Sequence, residues 1–287
     1  MEQITTFWNI FQSTATDQHP QNEDKRYFCG QALEAVCIHR IQNYTICMVG
    51  KNQIKQIKSL HQKKNRWAEK AFIVEGHKTI TTLLEHGLKL HWIGGTADHQ
   101  HRFVTQEFQV LSPQQLKQVS AMTTPPGSLA VFAIPDTNSL PSKGWIVAID
   151  EVQDPGNLGT IIRLCDWFGI ADLVCSKGTV DAYNPKTVQA SMGSLAKVRV
   201  HYTELTDWLS QIDLPIYGTM LDGQSIYELT WPKQGVLLLG NEANGISPDV
   251  IRLLHHQITI PATGHPAAES LNVAMATGLC LGALRHP

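Results

Sequence analysis

The sequence contains no Cys-x-x-Cys pair. Its six cysteines stand singly at positions 29, 37, 47, 165, 175 and 280. That pattern argues against a disulfide framework and against a thiolate zinc site, and reduced thiols point to the cytoplasm. No apolar run approaches the roughly 18 residues of a membrane helix. The opening MEQITTFWNIF lacks a positive leader followed by an apolar core, so a secretory signal is not expected. Thirteen histidines include the close pairs His99/His101 and His255/His256. Neither pair has a cysteine or carboxylate at ligand spacing, so they read as surface histidines and no metal is expected. A dinucleotide fingerprint is missing too, because Gly156-Asn-Leu-Gly159 is G-x-x-G and not G-x-G-x-x-G.

The length of 287 residues suits about two domains on a prior of ~100–200 residues each. The net charge of −2 hides an asymmetry. Residues 48–135 hold eleven Lys/Arg against five Asp/Glu, and residues 136–287 hold nine against fifteen. A basic module of this kind suits a polyanion and supplies phosphate affinity without choosing a sequence. A solvated helical face accounts for the charge equally well. The positive residues concentrate at Lys51, Lys55, Lys58, Lys63, Lys64, Arg66 and Lys70. Ile54, Ile57 and Leu60 recur among them, so one amphipathic basic helix is expected over 51–70.

Residues 1–47 show no sustained apolar period, and they are expected to form a poorly structured extension upstream of a native start at Met48. From there the chain alternates. Strands are expected at 71–75, 90–93 and 129–134, with helices between them, and 108–111 leads through Ser112-Pro113 into one of those helices, as in a small α/β domain over 48–137. The polar, turn-rich stretch 136–144 (DTNSLPSKG) reads as a linker. A second domain, 138–287, opens with the buried-type strand WIVAI at 145–149. Asn157 then suits an N-cap for a helix over 158–168. Further strands are expected at 172–175, 198–201 and 215–220, with a turn at Leu221-Asp222-Gly223.

The tail carries the strongest pattern. A short apolar run, Val236 to Leu239, stops at Gly240 and the polar loop Asn241–Gly245. A strand over 257–260 stops at Pro261. Ser270 and Asn272 then open a helix over 273–284 rich in alanine and glycine. Two strand ends and a helix start on neighbouring loops are the usual address of a ligand site in an open α/β sheet.

At these residues the sequence resembles the SpoU/TrmH family of the SPOUT RNA methyltransferases. Asn157-x-Gly159-x-x-x-Arg163 matches its first motif, GNEANGIS at 240–247 its second, and Ile260-Pro…Ser270-Leu-Asn272-Val its third. The resemblance runs from Met48 to the C-terminus. It implies a trefoil-knotted, parallel-sheet catalytic domain behind a small N-terminal α/β RNA-binding domain, assembled as a homodimer. It also implies methyl transfer from S-adenosylmethionine to a ribose 2′-hydroxyl. The activated sulfonium donor leaves the protein chiefly in-line positioning and help with the hydroxyl proton.

By the same resemblance Arg163 is the catalytic residue. A guanidinium is a poor base, so either the site alters it or it stabilises the developing alkoxide. Asn157 is expected to orient Arg163 or touch RNA, and Glu242 to contact or position the substrate. Gly240, Ile260 and Leu271 are expected to hold the adenosine through backbone groups, with Ser270 and Asn272 at the methionine end. Lys51, Lys55, Lys58, Lys63, Lys64 and Arg66 are the expected RNA contacts. Ribosomal RNA is favoured and transfer RNA is the alternative. The competing readings are a base methyltransferase and a non-catalytic RNA-binding or assembly protein of the same fold.

Overall fold

The structure, a computed structural model, describes residues 49–137, 139–264 and 267–285. The expectations for residues 1–47 and for a start at Met48 lie outside the described residues. Two sheets form. The first has the order β1-β4-β2-β3, built from β1 (Ala71–Glu75), β2 (Leu90–Gly95), β3 (Gln109–Val110) and β4 (Ser128–Ala133). Its central pairs, β1 with β4 and β2 with β4, are antiparallel.

Alternation divides this sheet's side chains between two faces. Ala71, Ile73, Leu129 and Val131 pack with Ile54, Ile57, Leu60, Leu116 and Val119. The last five come from helix α1 (Lys51–Ser59), the turn after it, and helix α4 (Pro113–Val119). Phe72, Val74, Ala130 and Phe132 face the other way, into a core shared with the second sheet. Helix α3 (His77–Glu85) adds Ile80 and Leu83 to that shared core.

The basic stretch 51–70 is not one helix. Helix α1 ends at Ser59, and α2 (Lys63–Glu69) starts afresh after a turn. A 3₁₀ segment, Ala97–Arg102, was also unforeseen, lying in a run without apolar periodicity.

The second sheet is wholly parallel, with the order β10-β8-β9-β5-β6-β7. Its strands are β5 (Trp145–Ile149), β6 (Asp172–Ser176), β7 (Arg199–Thr203), β8 (Ile216–Ser225), β9 (Gly235–Leu239) and β10 (His256–Thr259). Its central strands β5 and β9 are covered on both faces, which is why they read as unbroken apolar runs. Trp145, Val147 and Ile149 pack on α5 (Pro155–Trp167) and α9 (Val273–Arg285). Ile146 and Ala148 pack against α7 (Leu205–Leu209) and α8 (Pro248–Ile251). Helix α6 (Pro185–Ser191) lies against α5.

From β5 the chain runs outward through β6 and β7. It crosses back to β8, inserts β9 between β8 and β5, and ends with β10 at the far edge. Strand direction of travel therefore reverses at β5, and the crevice outside the carboxyl ends of β5 and β9 is the switch point. The expected turn at 221–223 is a bulge within β8. Gln257 pairs with Gly218 while the next residue, Ile258, pairs with Gln224, so the intervening residues loop out of the ladder.

Candidate active site

Three loops meet at this switch point. The first leaves β5 through Asp150–Asp154. Asp154, not Asn157, caps α5: its Oδ1 accepts from Asn157 N at 2.7 Å, and Pro155 occupies the first turn. The helix therefore starts earlier than expected, and the Asn157 side chain is free for other work. Within this loop Glu151 takes a left-handed backbone, φ 57°, a strained conformation for a residue with a Cβ. It is held there from both sides, by Glu151 N donating to Ser176 Oγ (2.8 Å) and Asn241 Nδ2 donating to Glu151 O (2.7 Å).

The second loop leaves β9. Asn241 and Gly245 exchange backbone hydrogen bonds of 2.9 and 3.0 Å, and Asn241 Oδ1 accepts from the Ala243 and Asn244 amides. This tight turn fits only above a glycine. A Cβ at Gly240 would lie 2.1 Å from Gly245 C and 2.2 Å from Ile246 N. Asp150 Oδ2 accepts from Ser247 N at 2.8 Å and ties the second loop to the first.

The third loop precedes α9. Asn272 Oδ1 accepts from Ala274 N and Met275 N, so Asn272 acts as the cap of that helix. Its Nδ2 donates to Asn157 Oδ1 at 2.9 Å, and Asn157 Nδ2 donates to Glu242 Oε1 at 2.9 Å. One residue from each motif thus enters a single hydrogen-bonded row, Asn272–Asn157–Glu242. Gln153 N completes it with a longer contact to Glu242 Oε2 (3.4 Å). At the opposite helix ends Arg285 Nε donates to Phe168 O at 2.8 Å. Helices α5 and α9 therefore lie side by side and parallel.

Arg163 does not join this row. Six residues beyond Asn157 it stands about 9 Å further along α5, with its side chain exposed. Among the described residues no oxygen accepts from it, which leaves its guanidinium available. One turn further along α5 Trp167 is 81% exposed, and on α9 Met275 is 63% and Leu279 40% exposed. Gly240 and Ile260 are half-buried at the ends of β9 and β10, while Ser270 and Leu271 are exposed beside Asn272. Thr259 Oγ1 donates to Leu221 O at 2.9 Å, which draws the β8 bulge to the end of β10.

On the first sheet's helices Lys51, Lys55, Lys58, Lys63 and Lys64 are exposed. Arg66 requires a correction. It is 2% exposed, and its guanidinium is spent on Asp181 and on the Leu60 and His61 carbonyls, so it cannot reach a phosphate. Gln153, Asn241 and Asp150 carry the geometry of the site and were not singled out from sequence. The Asp154-Pro155 pair was a legible start signal for α5. Nothing local marks Arg66, whose partner lies 115 residues away.

Burial dominates the chemistry of the thiols. It pushes Cys280 up to about 12 and Cys165 and Cys175 higher still. Among the described residues no group of three or more His, Cys, Asp or Glu is placed to hold a metal ion, and no helix is long and apolar enough to cross a membrane.

A parallel sheet with a polar row across the carboxyl ends of the strands at its switch point has the arrangement of an α/β ligand-binding protein, here beside a second sheet flanked by lysine-bearing helices. Comparison narrows the class. Residues 144–282 match the model of the SpoU rRNA Methylase family, and residues 51–130 match the MRM3-like substrate binding domain. A 23S rRNA (guanosine(2553)-2′-O)-methyltransferase, RlmP, of Bacillus subtilis is 32% identical over 247 residues, spanning 82% of this chain and 97% of that protein. The structure of a putative RNA methyltransferase of the TrmH family from Porphyromonas gingivalis superposes with a TM-score of 0.77 at 39% identity. It covers 83% of this chain and 99% of that one. The S-adenosylmethionine complex of the SpoU methyltransferase AviRb from Streptomyces viridochromogenes superposes at 0.72 with 26% identity, covering 82% and 97%. The chain belongs to the SpoU rRNA methylase family.

Proposed function

We propose that this protein transfers a methyl group from S-adenosylmethionine to a ribose 2′-hydroxyl of ribosomal RNA. The observation that carries the reading is the row Asn272–Asn157–Glu242, in which all three sequence motifs meet at the switch point. Relatives matched over nearly their whole length act on 23S rRNA at a ribose oxygen or bind S-adenosylmethionine.

The residues present suit that cofactor. Backbone at Gly240, Ile260 and Leu271 would hold the adenosine, and the half-buried Ile260 and exposed Leu271 offer it apolar cover. Ser270 and Asn272 would meet its methionine end. When bound, the cofactor supplies an activated methyl group, so no nucleophilic side chain is required. Glu242, fixed by two donors, positions the ribose. Arg163, always charged, stabilises the alkoxide as the 2′-hydroxyl loses its proton. The exposed lysines of α1 and α2 take the RNA backbone, each as a point charge on a phosphate.

The apolar surface of Trp167, Met275 and Leu279 supports a homodimer whose seam runs past Arg163. We also read the tail as knotted through the preceding loop, in keeping with the insertion of β9 between β8 and β5.

The test incubates the purified protein with labelled S-adenosylmethionine and total RNA from cells lacking it. Label in one large-subunit ribosomal position is the expected result. Label confined to transfer RNA would overturn the substrate assignment, and RNA binding without any transfer would overturn the activity.

A further inference from the structure

A buried ion pair joins helix α2, beside the first sheet, to the segment that follows β6 in the second. Arg66 Nε and Nη2 both donate to Asp181 Oδ2, at 2.9 and 2.5 Å, with the two side chains 2% and 3% exposed. Arg66 Nη1 donates to the Leu60 and His61 carbonyls at 2.8 Å, and Asp181 Oδ1 accepts from Tyr183 N. Almost every polar position on both groups is used. Such an arrangement fixes geometry on each side of the contact.

Asp181 lies in the segment 177–184, between β6 and α6, which has no ladder of its own. That segment and the end of β6 are bonded to the loop after β5 by three contacts. Val180 N donates to Val152 O (2.9 Å), Gln153 Nε2 to Gly178 O (2.7 Å), and Glu151 N to Ser176 Oγ (2.8 Å). Gln153 N in turn donates to Glu242 Oε2. A continuous chain of hydrogen bonds and short loop segments thus runs from α2, beside the exposed Lys63 and Lys64, to the carboxylate of the active-site row. Aromatic packing closes around the clasp, with Trp67 edge-on to Tyr183 and Tyr202 and the Phe72 ring 4.9 Å from Tyr183.

We infer that Arg66 and Asp181 are positioning residues for the methyl transfer: their clasp holds the 177–184 segment against the 151–153 loop, and thereby sets Glu242 and its distance from the lysine surface. The kinetic half of this inference rests on the proposed activity. The structural half does not. Removing one partner alone would strand a buried charge, whereas replacing both by apolar residues of similar size commonly preserves folding.

The test is the double variant R66M/D181L in the full chain. The expected result is an unchanged melting temperature, unchanged S-adenosylmethionine affinity and an unchanged KM for RNA, with kcat lower by about 10–100-fold from misplacement of the centre. Amide exchange at Glu151, Gln153 and Val180 should quicken while the β5 amides stay protected. If the wild-type protein methylates no RNA, exchange still decides whether the clasp holds the loops. A double variant with wild-type exchange at those amides, or with wild-type kcat, overturns the inference. Should it fail to fold, Arg66→Lys, which keeps the charge and loses the fork, must show the same fall in kcat and the same exchange pattern; wild-type values there overturn it equally.

Discussion

Gly159→Ala is the substitution whose cost the structure specifies most closely. A Cβ at Gly159 would lie 2.5 Å from Ala190 Cβ, 2.6 Å from Thr187 O and 3.0 Å from Ser191 N. Ordinary carbon contacts begin near 3.5 Å, so α5 and α6 must part by about 1 Å. Two of the three atoms met are backbone, so no side chain can swing aside. Overpacking of this kind costs about 1–3 kcal/mol, against about 1 kcal/mol gained from alanine's better helix propensity. A net loss of about 0–2 kcal/mol follows, which a melting curve resolves. The effect on activity should be larger than the effect on stability. Asn157 sits two residues away on the same turn, and its bonds to Glu242 and Asn272 are both 2.9 Å. Displacing it by about 1 Å should break at least one of them and lower kcat by about 100-fold. The assay pairs thermal denaturation with single-turnover methyl transfer at saturating cofactor. A variant with wild-type kcat would refute the claim that this glycine places Asn157.

Further outcomes test other parts of the account. Arg163→Lys should keep cofactor binding and lose about 10²–10³-fold in kcat, the usual loss of a charge-stabilising donor; near-wild-type transfer would remove Arg163 from the mechanism. Burial would raise the Asp172 carboxyl, but hydrogen bonds from Arg199 and His201 outweigh it and hold that group below the usual carboxylate range. A depressed folded pKa stabilises above the unfolded value and is lost as pH falls through the folded one. Asp172→Asn should therefore cost about 1–3 kcal/mol at neutral pH, and its deficit should shrink as pH falls below about 4; a constant deficit in urea melts would contradict this. Cys165, Cys175 and Cys280 are buried as thiols, so labelling of the native protein at pH 8 should leave all three unmodified. Labelling of any of them without denaturant would show that the core opens.

Much of the fold was legible because both sheets are buried on two faces. Strands such as WIVAI and GVLLL announce themselves as apolar runs that stop at polar loops. The row residues Asn157, Glu242 and Asn272 were legible as a set, because each sits where a strand stops or a helix starts. Their contacts were not. Asn157 reads as a cap from sequence, and only the fold shows Asp154 taking that place and freeing Asn157 to bridge Asn272 and Glu242. The division of 51–70 into two helices was hidden because Leu60 keeps the apolar period of α1 through the turn. Arg66 was read with its charged neighbours as a surface cation. Its burial depends on a carboxylate 115 residues away, and sequence periodicity carries no information at that range.

The most direct measurement of the central claim is the chemical position of the transferred methyl group. Ribosomal RNA methylated by the purified protein with a heavy-methyl donor is digested to nucleosides and fragmented in a mass spectrometer. The account predicts that the heavy methyl stays with the ribose fragment, and that Glu242→Ala and Arg163→Ala each abolish it. A heavy methyl on the base fragment would contradict the assignment of this site to ribose 2′-O transfer.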